Sequence, residues 1–190
     1  MSKPQKHLLL ISQVYVPDPA AVGQYMADVA EEMEAQGWKV TVFTSNRGYD
    51  DPSQKFPATE IANGVTIKRL PLSSFGKNSI LTRLLGQSIF CLQAILRGLF
   101  LPKVSSILVT TSPPIGGMVG WFISLIRRIP FNFWVMDLNP DQAIAQGVVG
   151  PNSIPARIFD SFNRRLLKRA SRIIVPVSYT HLRAHETLLY

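Results

Sequence analysis

The sequence is poor in cysteine, in charge and in signals for secretion. Its single cysteine, Cys91, excludes a disulfide within the chain and a metal site built from several thiolates. Only 17% of the residues are charged and 46% are hydrophobic, which is typical of a globular protein and argues against a disordered one. The apolar run after the polar start covers only residues 8–11, shorter than a signal-peptide core. We therefore expect a cytoplasmic protein.

The chain also lacks an uninterrupted apolar segment long enough to cross a bilayer. Its two most apolar stretches are residues 80–101, which contain Arg83 and Arg97, and residues 115–126, which are too short. Neither stretch is predicted to span a membrane.

Several nucleotide-binding and hydrolase motifs are missing. No GxGxxG follows the first apolar run, and neither GxxxxGK[ST] nor GxSxG occurs. These absences argue against dinucleotide dehydrogenases, P-loop ATPases and serine hydrolases. A sugar-nucleotide epimerase is disfavoured as well, because it requires an amino-terminal GxxGxxG-type loop and a Tyr-x3-Lys pair.

Among the few charged residues, basic ones outnumber acidic ones by 20 to 12, which gives a formal net charge of +8. Such a charge suits nucleic acid, an anionic membrane surface or a phosphorylated substrate. The basic residues are scattered among apolar stretches and form no groove-binding motif, so nucleic acid is not an expected partner.

Short apolar segments alternate with amphipathic ones along the chain. The pattern predicts strands at residues 8–12, 40–44, 65–70, 107–110, 131–136 and 172–175. It predicts helices at residues 25–36, 79–100, 113–128 and 153–170, and a loop at residues 46–64. Apolar strands separated by helices predict an α/β fold, a Rossmann-like and mostly parallel sheet with helices on both faces. We assign residues 1–177 to this one domain.

Parallel sheets of this kind bind ligands beyond the carboxyl ends of their strands. After the first strand comes a loop of small residues that leads through Gly23, Gln24 and Tyr25 into a helix. Its backbone amides can approach an anionic ligand at the positive end of the helix. Alternatively, Gly23 only permits a tight turn or close helix packing.

Polar residues also follow two later strands. Asp137, Asn139 and Asp141 come directly after the strand at residues 131–136, where active sites form, although aspartate and asparagine are also common turn and cap residues. Thr111 and Ser112 follow the strand at residues 107–110. They either line the same cleft or cap the helix that begins near two prolines.

The segments LLLISQVYVPDPAAVGQYMADVAEEMEAQGWKVTVFTS, TTSPP and WVMDLNPDQAIAQGVV, with the basic helix before ASRIIV, together resemble the amino-terminal domain of GT4-type glycosyltransferases. These are retaining enzymes of the GT-B fold that include colanic-acid and O-antigen transferases of the WcaI and WbuB type. The resemblance covers about residues 8–175. It implies the acceptor-side half of an enzyme of polysaccharide biosynthesis, which moves a sugar from a nucleotide-sugar donor to a saccharide or polyprenyl-linked acceptor.

The resemblance also implies roles for particular residues. The nucleotide-sugar donor is held mainly by a carboxyl-terminal Rossmann domain that carries a Glu-x7-Glu motif, and this chain has no counterpart of that domain, so we expect the fragment alone to be inactive. Gly23 and Gln24 match the loop that faces the donor phosphates. Asp137 stands where many relatives have a histidine. The family implies no metal and no cofactor besides the donor substrate.

Residues 75–103 form an apolar segment with Lys77, Arg83, Arg97 and Lys103 along it or beside it. Such a helix can rest on anionic lipid, where a polyprenyl-linked acceptor resides, which would place the protein on the inner face of the plasma membrane. The alternative is that its apolar side packs on the sheet and the cations are only solvated.

The last residues, 178–190, do not continue the pattern of strands and helices. They resemble a peptide produced when sequencing-adapter bases are translated, so we expect this tail not to be native. His181, His185 and Glu186 offer a metal site as the alternative, but zincins place the glutamate directly after the first histidine. For the whole chain, the alternative to an enzyme domain is a non-catalytic Rossmann-type module that binds an anionic or lipid-linked ligand.

Overall fold

The computed structural model describes residues 5–49, 51–73, 80–137, 150 and 153–175. Within these residues, seven strands form a single sheet. The strands are β1 His7–Ile11, β2 Lys39–Ser45, β3 Thr59–Ala62, β4 Val65–Leu70, β5 Ser106–Thr110, β6 Phe131–Trp134 and β7 Arg172–Ile174. The helices are α1 Ala21–Ala35, α2 Ile80–Phe100, α3 Gly117–Arg127 and α4 Ile154–Arg169.

The sheet has the strand order β3-β4-β2-β1-β5-β6-β7. Every neighbouring pair is parallel except β3 and β4. The chain runs outward from β1 through β2 to β4 and then returns to β5 on the other side of β1. The strand order therefore reverses between β1 and β5, and the predicted Rossmann-like fold is confirmed.

Both faces of the sheet are covered by helices. Successive side chains of a strand point to opposite faces. Leu9 and Ile11 of β1 pack in the core that includes residues of α2, α3 and α4. Leu8 and Leu10 pack in the core that includes α1. Because β1 is buried on both faces, all five of its residues are buried, and this explains the continuous apolar run in the sequence.

The sequence pattern missed β3. We predicted a loop through residue 64, whereas Thr59–Ala62 forms an antiparallel edge strand with β4. The strand is short and mostly exposed, so its sequence shows no apolar alternation. Asn63 and Gly64 connect the two strands with φ values of 48° and 78°, which suits a two-residue hairpin turn.

Two predicted helix starts were wrong by four residues. Helix α1 begins at Ala21 and not at residue 25, because the small residues before Tyr25 are already helical. Helix α3 begins at Gly117 and not at residue 113, since the intervening residues form a turn in which the Gly116 amide donates to the Pro113 carbonyl at 2.7 Å. Helix α4 begins within one residue of its predicted start, and the Ser153 side chain caps it by accepting from the Ala156 amide.

No helix in the described part of the chain has both the length and the apolar character needed to cross a bilayer.

Candidate active site

A cavity of about 180 Å³ lies where the strand order reverses. Its walls come from the segments that follow β1, β5 and β6, from the start of α1, and from two more distant positions. The lining residues are Gln13, Val14, Ala20, Val22, Tyr49, Gln87, Thr111, Ser112, Pro113, Pro114, Met136 and Asp137. The predicted residues Thr111, Ser112 and Asp137 are therefore brought together. This is where open parallel sheets bind ligands.

Thr111 fixes the backbone beside Asp137. Its hydroxyl oxygen accepts hydrogen bonds from the amides of Met136 and Asp137, both at 3.2 Å. Helix α3 has Gly116 at its cap position, without a side-chain cap bond, so neither Thr111 nor Ser112 caps this helix as one of our alternatives proposed. The hydroxyl instead holds the segment after β6 against the segment after β5, and Asp137, which is exposed, follows at the cavity.

Gly23 lies beside the cavity and has a packing role. A Cβ atom at this position would lie 3.1 Å from the Cα of Tyr15 and 3.2 Å from its carbonyl carbon. The amides of Gly23 and Gln24 both donate to the Ala20 carbonyl, at 2.9 Å and 3.4 Å. Close packing, one of our two interpretations of Gly23, is thus supported by contacts.

Gln24 and Tyr25 do not line the cavity. The side-chain amide of Gln24 donates to the Pro19 carbonyl at 3.2 Å, and Tyr25 is 55% exposed. The cavity wall at the start of α1 is made by Ala20 and Val22 instead. The first two amides of α1, those of Ala21 and Val22, have no intrahelical acceptor, so an anion near this wall would meet them first.

Asp18 is a functional candidate that the sequence pattern did not single out. Its buried carboxylate accepts from the Ala20 amide at 3.1 Å and from the Tyr49 amide at 2.6 Å. Ala20 and Tyr49 both line the cavity, so the hydrogen bonds of Asp18 connect two of its walls. The signal in the sequence was an aspartate two residues before the amide that donates to it, a spacing that favours an Asx turn.

Gln13, Tyr49 and Gln87 are further lining residues that the pattern did not single out. Gln13 lies two residues after the end of β1, and the sequence gives no sign that its side chain would be buried there. Tyr49 and Gln87 come from distant parts of the chain, so their presence at the cavity depends on tertiary packing.

The remaining predicted positions fall outside the described residues: Asn139, Asp141, Lys77, His181, His185 and Glu186. Among the residues that are described, no group of three or more histidine, cysteine, aspartate or glutamate side chains is placed to hold a metal ion.

Comparison with a family model agrees with the GT4-type part of the resemblance drawn from the sequence. Residues 20–188 match the family model described as a glycosyl transferase 4-like domain, which is most of the chain. No curated protein matches the chain.

Proposed function

The chain belongs to the glycosyl transferase 4-like family, and we propose that it is the acceptor-side domain of a retaining glycosyltransferase of polysaccharide biosynthesis. The enzyme would transfer a sugar from a nucleotide-sugar donor to a saccharide acceptor linked to a polyprenyl lipid. The observation that carries this proposal is the cavity at the reversal of strand order, where the Asp137 carboxylate stands beside the backbone held by Thr111.

We propose that Asp137 orients a sugar in this cavity. An ionised carboxylate accepts hydrogen bonds from hydroxyl groups, and such charge-assisted bonds are stronger than neutral ones. Asp137 is exposed at the cavity and its own amide is held by Thr111, so the carboxylate projects from a fixed piece of backbone. Fixed polar groups of this kind favour one bound geometry of the reacting sugar.

The donor phosphates would lie near the start of α1. The amides of Ala21 and Val22, at the positive end of the helix, supply hydrogen-bond donors for a departing phosphate. We propose that the nucleotide itself is held by a second Rossmann domain, as in the GT4-type enzymes of the WcaI and WbuB type that the sequence resembles. The donor would serve as substrate, with no further cofactor, and residues 1–177 alone would be inactive.

The test begins by sequencing the locus through and beyond residue 177 with long reads. The complete natural protein is then assayed for turnover of UDP- and GDP-sugars. We expect Asp137→Ala to lower turnover about a hundredfold, because the orienting carboxylate is lost. Asp160→Asn is the matched control, since this exposed carboxylate lies on α4, away from the cavity. If the natural frame encodes no second domain and no donor binds, a non-catalytic binding module replaces the enzyme.

We also propose that α2 rests on an anionic membrane surface on the cytoplasmic side. Phe90, Cys91 and Ala94 pack on the sheet, but the opposite side of the helix is apolar as well. Leucines and a phenylalanine that are between 50% and 83% exposed recur there at helical spacing: Leu81, Leu85, Leu92, Leu96 and Phe100. Exposed apolar stripes flanked by cations favour anionic lipid interfaces, and Arg83, Arg97 and Lys103 supply the cations.

Sedimentation with phosphatidylcholine vesicles, with and without phosphatidylglycerol, tests this contact. We expect binding that needs the anionic lipid and that is lost in the double variant Leu92→Ser, Leu96→Ser. Ile61→Ser is the control, because Ile61 is also exposed but lies on the edge strand β3. Equal sedimentation of both variants would contradict a role for α2.

A further inference from the structure

Gln13 is held rigidly at the point where β1 meets the cavity. Its amide donates to the Ser112 carbonyl at 2.8 Å. Its own carbonyl accepts from the Ser45 amide at 3.0 Å and from the Thr44 hydroxyl at 3.1 Å. The backbone of Gln13 is therefore fixed by β2 on one side and by the segment after β5 on the other, and both of its backbone polar groups are in use.

Only one end of the Gln13 side-chain amide makes a hydrogen bond. Its nitrogen donates to the Ser73 carbonyl at 2.6 Å. This bond fixes which end of the amide is the nitrogen, because a carbonyl oxygen only accepts. Ser73 is itself anchored, since its hydroxyl bonds to the Leu70 carbonyl at 2.6 Å and to the Ser45 hydroxyl at 2.9 Å. The side chain of Gln13 is thus locked in one orientation.

The other end of the amide, Oε1, has no hydrogen-bond partner among the described residues. Gln13 is only 5% exposed, so bulk water does not satisfy this oxygen. An unsatisfied buried acceptor is costly to a fold, and few are retained without a reason. Gln13 lines the cavity whereas Ser73 does not. Oε1 is therefore the one polar atom of this cavity-lining residue that is without a hydrogen-bond partner among the described residues.

We propose that Gln13 Oε1 accepts a hydrogen bond from a hydroxyl group of the saccharide bound in this cavity, and that Gln13 determines specificity for that hydroxyl. The proposal rests on the proposed function and adds an orientation to it. An amide oxygen only accepts, so it repels phosphate oxygens and favours a hydroxyl donor. The saccharide ring then lies toward β1 and β5, and its phosphate lies toward the start of α1.

Pre-organisation makes this contact selective. A site built to pair with one hydroxyl discriminates strongly against an analogue that lacks it, because the buried polar group of the protein is then left unpaired. Among the described residues Gln13 Oε1 has no partner, and the bond of the side-chain nitrogen to Ser73 keeps the oxygen from turning toward another donor. Binding of the correct sugar would supply its missing hydrogen bond.

Nitrogen-15 NMR of the whole chain reports on this contact directly. The side-chain NH2 signals of Gln13 are assigned by their loss in Gln13→Met and then followed during titration with methyl glycosides of glucose, galactose, mannose and N-acetylglucosamine. For the glycoside that binds, the titration is repeated with its monodeoxy analogues. Inorganic phosphate is titrated as the anionic probe.

We expect the binding glycoside to shift the Gln13 side-chain signals together with the Asp137 amide. One deoxy analogue should bind roughly fivefold to tenfold more weakly to the natural chain but lose nothing further in Gln13→Met. Gln93→Met is the matched control. Gln93 also donates to a backbone carbonyl at 2.6 Å, that of Pro71, but it does not line the cavity.

The remaining outcomes separate the two proposals. A glycoside that shifts the Asp137 amide but not the Gln13 side chain, with equal deoxy discrimination in Gln13→Met, would overturn the role of Gln13 and leave the saccharide site standing. If only the acetamido sugar shifts Gln13 and no hydroxyl deletion matters, the hydroxyl assignment is wrong. A shift of the Gln13 signals by phosphate alone would reverse the proposed orientation. If no glycoside shifts any cavity residue, both proposals fail.

Discussion

Arg69 and Glu60 form a 2.6 Å ion pair in which the arginine side chain is 1% exposed and the glutamate side chain 34%. The same guanidinium nitrogen donates to the Val16 carbonyl at 2.9 Å. Arg69 lies on β4, Glu60 lies on the edge strand β3, and Val16 belongs to the loop between β1 and α1. The buried arginine therefore links the edge of the sheet to the loop that leads into the cavity.

Glu60→Gln should destabilise the fold, because it leaves the buried Arg69 charge without its countercharge. We expect the free energy of unfolding in urea to fall by about 1–3 kcal/mol, less than for a fully buried pair because Glu60 is partly exposed. The control is Asp160→Asn. Its pair with Arg164 on α4 is 3.1 Å long and exposed on both sides, so its loss should cost less than about 0.5 kcal/mol. If both variants lost the same unfolding free energy, the burial of Arg69 would not strengthen its pair with Glu60.

Gly23→Ala should also destabilise the chain. The added methyl group meets the Tyr15 backbone at 3.1–3.3 Å, and backbone gives way less readily than a flexible side chain. We expect the free energy of unfolding in urea to fall by about 1–2 kcal/mol, although alanine favours a helix more than glycine does. Gly150→Ala is the control, since among the described residues the atom nearest to a Cβ at Gly150 is the Ser153 Cβ at 3.9 Å, an ordinary contact, and its φ lies outside the left-handed region. A stabilised Gly23→Ala variant would contradict the packing role.

The sequence predicted the architecture well because the parallel strands are buried on both faces, so their apolar runs stand out. The edge strand β3 was missed since an edge needs little apolar character. Asn63-Gly64, a strong hairpin signal, was the available clue.

The meeting of Asp137 and Thr111 at the cavity could be predicted from the sequence, because the carboxyl ends of neighbouring parallel strands lie at one edge of the sheet. The unsatisfied oxygen of Gln13 could not, because it depends on which side-chain atoms the fold leaves without partners.

Cys91 should resist alkylation until the chain unfolds. Burial raises the pKa of the Cys91 thiol to about 12, so the reactive thiolate is scarce at neutral pH, and the side chain lies in the core against the sheet. We expect iodoacetamide to label the folded chain far more slowly than the urea-unfolded chain, as measured by intact mass. Since Cys91 is the single cysteine, one added label reports on this site alone. Similar rates in the two states would show that the core around α2 opens readily.

His7 is buried at the start of β1 as a neutral imidazole. Its Nδ1 lies 3.2 Å from the Pro102 carbonyl oxygen, which only accepts, so Nδ1 carries the proton. Its Nε2 lies 2.9 Å from the Thr41 hydroxyl and accepts from it. Burial lowers the pKa of His7 below its ordinary 6.5, and the nearby cations of Lys39, Lys68 and Arg127 lower it further, although the bond to Pro102 acts in the opposite direction.

The stability of the chain should therefore fall as pH decreases through about 6.5. Below that pH the unfolded chain binds a proton at His7 that the folded chain refuses, so protonation favours unfolding. Urea midpoints measured at about pH 7.5 and about pH 5.5 check this, and the drop should be smaller in His7→Gln, which does not titrate. If both proteins lose the same stability, the pH dependence arises from other groups.

Substitutions at Thr111 test whether its hydroxyl is needed to hold the backbone that carries the Asp137 carboxylate. Thr111→Val keeps the shape of the side chain but removes the oxygen that accepts from the amides of Met136 and Asp137. We expect the free energy of unfolding to fall by about 1–3 kcal/mol, because two donors lose their acceptor. Hydrogen exchange at the amides of Met136 and Asp137 should become faster.

In the complete enzyme, Thr111→Val should also lower donor turnover about tenfold, since the Asp137 carboxylate is then held less firmly. Thr111→Ser keeps the accepting oxygen and should preserve both slow exchange and turnover. If serine and valine behaved alike, the methyl group of Thr111 would matter and its hydroxyl would not. If valine sped up amide exchange but left turnover unchanged, Asp137 would not need a fixed backbone, and its role as the orienting carboxylate would lose its structural support.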